Sequence, residues 1–154
     1  SYYAATLLSE GGLIVFTSAP GARHYVFGPT YGVHKAGMDK MAADMAVDFR
    51  DNGVACISIW MGALLTERMA HMLAEDPQKY SFLKPEDMES PEFTGHIIWA
   101  LYNDPDKMDS SGKAVIGAET ALDYGIVDRD GIQPPSYRDR HGVYPAEQHA
   151  YEIH

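Results

Sequence analysis

Three short apolar runs, set apart by stretches with helical spacing, constrain this chain more than any other feature. Leu13-Ile14-Val15-Phe16, the segment from Val54 to Trp60, and Ala114-Val115-Ile116 are continuous rather than alternating. Each is too short for a helix, rich in β-branched residues and bounded by Gly, Pro or polar turns, so each reads as a strand buried on both faces. Between the first two, a helix is predicted from about Thr30 to Asn52. Met38, Met41, Met45 and Phe49 recur at spacings of three and four as one apolar stripe, Lys40 and Asp44 form an i,i+4 pair, and Asn52-Gly53 ends the element. Leu64 to Glu75 reads as a short helix, and residues 76–90 as a polar, mobile excursion. Ser90 caps and Pro91 opens a further helix reaching about Asn103, with Phe93, Ile97 and Leu101 on its apolar face. Residues 1–9 and 118–124 also read as helical. Buried strands alternating with helices predict an α/β layered fold with a mainly parallel sheet.

Composition narrows the function classes. A chain of 154 residues suits one domain, burying roughly 70% of its unfolded surface. Twenty-two acidic residues against twelve basic ones leave a formal charge of −10, which repels phosphate backbones and argues against nucleic acid. Cys56 is the single cysteine, so no disulfide framework exists. Its apolar neighbours predict a buried, inert thiol, and a cytoplasmic location is expected. No apolar run approaches the roughly 20 residues of a membrane span. The seven histidines show neither an H-x-x-x-H pair nor H-E-x-x-H, so no metal site is predicted. Ser18 lacks the flanking glycines of a hydrolase nucleophile elbow.

The chemistry-bearing cluster is Ser18, Tyr31 and Lys35. Tyr31 and Lys35 stand one turn apart on the long helix and share a face. A lysine cation there favours the phenolate and is expected to lower the Tyr31 pKa, making the phenol a usable general acid/base. Ser18 ends the first strand, where ligands of open α/β sheets collect. A tyrosine–lysine pair or a serine after a strand is commonplace alone. Their order is not: buried strand, Ser18, a Gly/Pro loop, then Tyr31 and Lys35 opening a helix.

On these residues the chain resembles the short-chain dehydrogenases/reductases, and within them the branch that holds dehydrogenase/reductase member 1. The matching segments are Leu13 to Ser18, Tyr31-Gly32-Val33-His34-Lys35-Ala36-Gly37, Gly53 to Ile59, Met61-Gly62-Ala63-Leu64-Leu65-Thr66 and Gly112-Lys113-Ala114-Val115-Ile116. The resemblance covers about residues 1–135 and implies the C-terminal portion of a Rossmann-like, doubly wound parallel sheet. The glycine-rich cofactor loop and the rest of the N-terminal cofactor-binding half are absent from this sequence; Gly11-Gly12 precedes a strand and is not that loop.

The resemblance implies an oxidoreductase that moves a hydride between NAD or NADP and a small carbonyl or alcohol substrate. Tyr31 is then the proton donor or acceptor, Lys35 also binds the nicotinamide ribose, and Ser18 orients the substrate oxygen. Gly62, Leu64 through its backbone, and Thr66 hold the nicotinamide end. Met61 stands where the family has proline, which predicts a less rigid turn. A substrate lid is expected over about residues 66–90, with Met69 and Met72 as candidate pocket lining, and a polar surface extension over 136–154. A homodimer or homotetramer through the Tyr31 helix is expected, so the methionine stripe has two candidate fates, sheet packing or subunit interface. The alternative reading is a non-catalytic dimerisation or scaffold fragment.

Overall fold

Every residue of the central strand, β2 (Ala55–Trp60), is buried, because both its faces carry helices. β2 pairs in parallel with β1 (Leu13–Ser18) on one side and β3 (Ala114–Ile116) on the other. In this computed structural model, which describes residues 7–8 and 11–147, the remaining main elements are α1 (Pro29–Asp48), α2 (Glu67–Glu75), α3 (Pro91–Asn103), α4 (Gly117–Asp123) and α5 (Tyr137–His141). The helix expected over residues 1–9 lies outside the described residues, apart from Leu7 and Leu8.

The pleat of β2 sorts the two layers. Ala55, Ile57 and Ile59 point into an apolar core with Phe93, Ile97 and Leu101 of α3 and Ala121 of α4. Ser58 and Trp60, of the opposite parity, meet α1, where the Asp39 carboxylate accepts from Ser58 Oγ at 2.7 Å and from Trp60 Nε1 at 2.9 Å. Helices on both faces of a parallel sheet make the fold doubly wound, as the apolar runs predict.

One expectation about packing changes, and one open choice narrows. β1 is not buried on both faces: Leu13, Ile14 and Val15 are only half covered. Leu13 and Val15 form an apolar groove with Ile98, Trp99 and Tyr102 of α3, and β1 has no partner on its outer edge among the described residues. The methionine stripe is not what α1 turns to the sheet. The buried positions of α1 are Lys35, Asp39 and Ala42, whereas Met41 is 41% exposed. Polar side chains face the sheet because Lys35 and Asp39 find bonds there, so hydrophobic spacing alone does not settle which face packs. α1 is also shorter than expected: after Asp48 the chain tightens into a 3-10 turn, Arg50–Asn52, and Gly53 in a left-handed conformation (φ 66°) leads into β2.

Candidate active site

The parallel register places Ser18, Trp60 and Ile116 in one row, so the chain leaves all three strands at the same carboxyl edge. Ser18 there is fully buried, and its Oγ donates to the Lys35 carbonyl at 3.2 Å. Lys35 returns the contact: its Nζ donates to the Thr17 carbonyl at 3.1 Å and lies 5.6 Å from the centroid of the Tyr31 ring, within cation–π range. The second turn of α1 is thus stitched to the end of β1 through Lys35, and the three residues predicted as a cluster lie together.

Tyr31 is held from two other directions. Phe27 meets its ring edge-on at 5.3 Å, and Gly21 lies so close that any side chain there would overlap the ring. Phe27 itself has a positive φ of 54°, a costly conformation for a bulky residue, and Gly28 follows at 91°. The turn that delivers the chain into α1 is therefore strained at the residue touching Tyr31.

The electrostatics correct one expectation. Burial pushes the Tyr31 phenol above its ordinary value, whereas the spacing to Lys35 predicts a lowered one. The cause is desolvation of the phenol; the Lys35 ammonium, 5.6 Å from the ring centroid, is engaged by the Thr17 carbonyl. Burial also lowers the Lys35 pKa, with Asp39 acting in the opposite direction. Burial, aided by Asp48, pushes the Cys56 thiol up to about 11, in keeping with an unreactive core cysteine.

Beyond β2, Met61 N–H donates to the Ser18 carbonyl at 3.2 Å. Proline has no such hydrogen, so at this position a hydrogen bond stands where a ring would have stiffened the turn. Leu64 makes an isolated parallel bridge to Glu89, with Glu89 N–H donating to the Ala63 carbonyl and Leu65 N–H to the Glu89 carbonyl, both at 2.8 Å. The excursion from Thr66 to Met88 thus leaves and returns through a pinned base. Thr66 is exposed, and its hydroxyl caps α2 by accepting from Met69 N–H at 3.2 Å.

A cleft of about 300 Å³ opens beside Gly62. Phe82, Leu83 and Met88 supply its apolar wall, and Glu89, Tyr137 and Arg140 its polar one. Met69 and Met72, the predicted lining residues, sit half-buried on α2 and are not among the residues around this cleft. The segment after residue 135 is not a detached surface extension as far as it is described. Ser136 is buried, Arg138 pairs with Glu119, Arg140 pairs with Asp87 at 2.7 Å, and Tyr137 is brought to the cleft. Glu89 and Tyr137 are the residues that sequence reading missed. Their only linear signal is a carboxylate beside a helix cap and an aromatic in a polar tail. Among the described residues no group of three His, Cys, Asp or Glu side chains is placed to hold a metal ion, and no helix is long and apolar enough to cross a membrane.

Known proteins similar to this chain are plain to find. Over 146 residues the chain is 39% identical to dehydrogenase/reductase SDR family member 1 of mouse, and over 145 residues 39% identical to the human protein of that name. Either match takes in 89% of this chain and 46% of the relative. The chain matches the C-terminal portion of a short-chain dehydrogenase/reductase. It spans about half the length of these curated relatives. No protein-family model matches it. Among solved short-chain dehydrogenase folds, a 7α-hydroxysteroid dehydrogenase complexed with NADH and 7-oxoglycochenodeoxycholic acid superposes with a TM-score of 0.61 at 22% identity, over 86% of this chain and 50% of that one.

Proposed function

We propose that this chain carries the proton-transfer residues of a nicotinamide-dependent oxidoreductase acting on a carbonyl or alcohol. The supporting observation is the linked set Ser18–Lys35–Tyr31 at the carboxyl edge of the sheet. The donor set suits a nicotinamide ribose. An ammonium has three hydrogens, and the Thr17 carbonyl engages Lys35 Nζ, leaving capacity for sugar hydroxyls. In this reading Lys35 holds the ribose, while Gly62, the Leu64 backbone and Thr66 flank the nicotinamide end. A bound NAD or NADP supplies or accepts the hydride.

The chain's own residues manage the proton. Burial keeps the Tyr31 phenol protonated at neutral pH, the form that donates to a carbonyl oxygen as the carbon gains hydride. The phenolate left behind lies beside the Lys35 cation, 5.6 Å from its ring centroid. In the opposite direction Tyr31 takes the alcohol proton. Ser18 orients the substrate oxygen once its hydroxyl exchanges the Lys35 carbonyl for that oxygen. The segment 66–88, tied at its base, is the substrate lid, and the half-exposed stripe of Met38, Met41 and Met45 is the surface for homo-oligomer formation.

Tyr31→Phe tests the assignment in the protein that carries this chain. Turnover, followed through the absorbance of the reduced nicotinamide, is expected to fall roughly 100- to 10,000-fold, with cofactor affinity retained. Retained turnover would remove Tyr31 from the mechanism; absence of nicotinamide binding in the unaltered protein would remove the activity itself.

A further inference from the structure

We infer that Glu89 is the positioning residue of the Gly62–Thr66 segment, and that cofactor affinity depends on its carboxyl. This deepens the proposed function and rests on that reading of Gly62, Leu64 and Thr66. Glu89 is 2% exposed although nothing in its immediate sequence marks it as core. It holds the segment in two ways. Its backbone brackets Leu64, with bonds to residues 63 and 65. Its side chain lies over Gly62, so closely that a Cβ on Gly62 would stand 2.5 Å from Glu89 Oε1, and the Gly62 amide favours the ionised form of the carboxyl. Gly62 is thus a glycine because the carboxyl occupies the space of its side chain.

Glu89 is itself anchored. The neighbouring Ser90 gives both its N–H and its hydroxyl to the Asp128 carboxylate, fixing the chain at the start of α3. With Met61 bonded to Ser18, the segment from 61 to 65 is held by hydrogen bonds at Met61, Ala63 and Leu65, in place of a ring.

The carboxyl is also poised to respond to pH. Burial, with Asp128 adding to it and the Gly62 bond opposing, pushes Glu89 up to about 7. Tyr137 of α5 faces it, itself pushed up to about 12 by burial, Glu89 and Tyr31. Lys84, Asp87, Arg140 and His141 complete the charged and titratable groups around the cleft. As pH rises through about 7 Glu89 ionises, and a carboxylate attracts the Gly62 amide beneath it more strongly than a neutral carboxyl does. Cofactor affinity should therefore rise across this range.

The test uses Glu89→Gln and Glu89→Ala, with cofactor affinity measured from pH 6 to 8.5 and hydrogen exchange of the Gly62 amide followed without cofactor. Glu89→Ala is expected to weaken cofactor binding about tenfold, the equivalent of one lost charge-assisted bond, and to expose the Gly62 amide. Glu89→Gln, which keeps an acceptor oxygen, should match the unaltered protein at pH 6, retain amide protection, and lose the rise in affinity near pH 7. A rise that persists in Glu89→Gln would overturn the inference, whether or not Glu89→Ala folds. So would an unchanged Gly62 amide in a folded Glu89→Ala protein. Failure of the unaltered protein to bind nicotinamide would instead defeat the oxidoreductase reading, while the exchange data would still judge the clamp.

Discussion

Glu89 makes stability as well as binding depend on pH, and the size of the effect follows from its burial. An exposed glutamate has a value of 4.5, and in the fold Glu89 is pushed up to about 7. The folded state therefore holds a proton between these values that the unfolded chain has lost. The sign is that of a raised acid: the contribution is intact below pH about 4.5 and is lost as pH rises to about 7. At about 1.4 kcal/mol per pH unit the loss is about 3 kcal/mol, a large share of the roughly 5–15 kcal/mol that holds a domain together. Glu89→Gln stays neutral throughout and should escape it. Thermal unfolding of both proteins from pH 4.5 to 8, followed by circular dichroism, should show curves that coincide at the acid end. They should separate toward pH 8, where the variant melts higher by roughly 6–12 °C, taking about 2–4 °C per kcal/mol for a chain of this size. Other titrating groups affect both proteins alike and cancel in the difference. Parallel curves across the whole range would refute the assignment of a buried, neutral Glu89.

Three further outcomes are expected. Asp39→Ala should destabilise the fold by about 2–4 kcal/mol in chemical denaturation, because Ser58 Oγ and Trp60 Nε1, both buried, lose their shared acceptor. Gly21→Ala should reduce turnover far more than it lowers the melting temperature, since the added methyl displaces the Tyr31 ring at the surface end of the core. Cys56 should resist a thiol reagent at pH 8 in the folded protein and react at once in denaturant, because burial pushes it up to about 11.

The parts of the fold that sequence reveals best are those decided locally. β2 is legible because six consecutive apolar or small residues have no other economical fate, and α3 because Ser90, Pro91 and the Phe93–Ile97–Leu101 spacing act within one helix. α1 is legible as a helix but not in its orientation. Met38, Met41 and Met45 outscore Lys35, Asp39 and Ala42 on hydrophobicity, yet the latter are the buried positions, and Lys35 and Asp39 bond to β1 and β2. The site divides in the same way. Tyr31 and Lys35 are one turn apart, so their juxtaposition is written into the helix. Ser18 joins them through a bond across 17 residues. Glu89 approaches Gly62 from 27 residues downstream and Tyr137 from farther still, through a lid and a turn whose course no periodicity encodes. The direction of the Tyr31 shift was illegible for a related reason. It depends on how far the fold desolvates the phenol, which helical spacing does not encode.

The outer edge of β1 has a consequence for handling the molecule. Its amides and carbonyls are unpaired by any neighbouring strand among the described residues, and the groove behind it exposes Trp99, 66% accessible, and Tyr102. A bare edge beside an aromatic groove is a template for strand addition, and self-association along it competes with folding as concentration rises. A strand laid on that edge would act as a guard against precipitation, and turbidity is the first sign by which its removal would be felt.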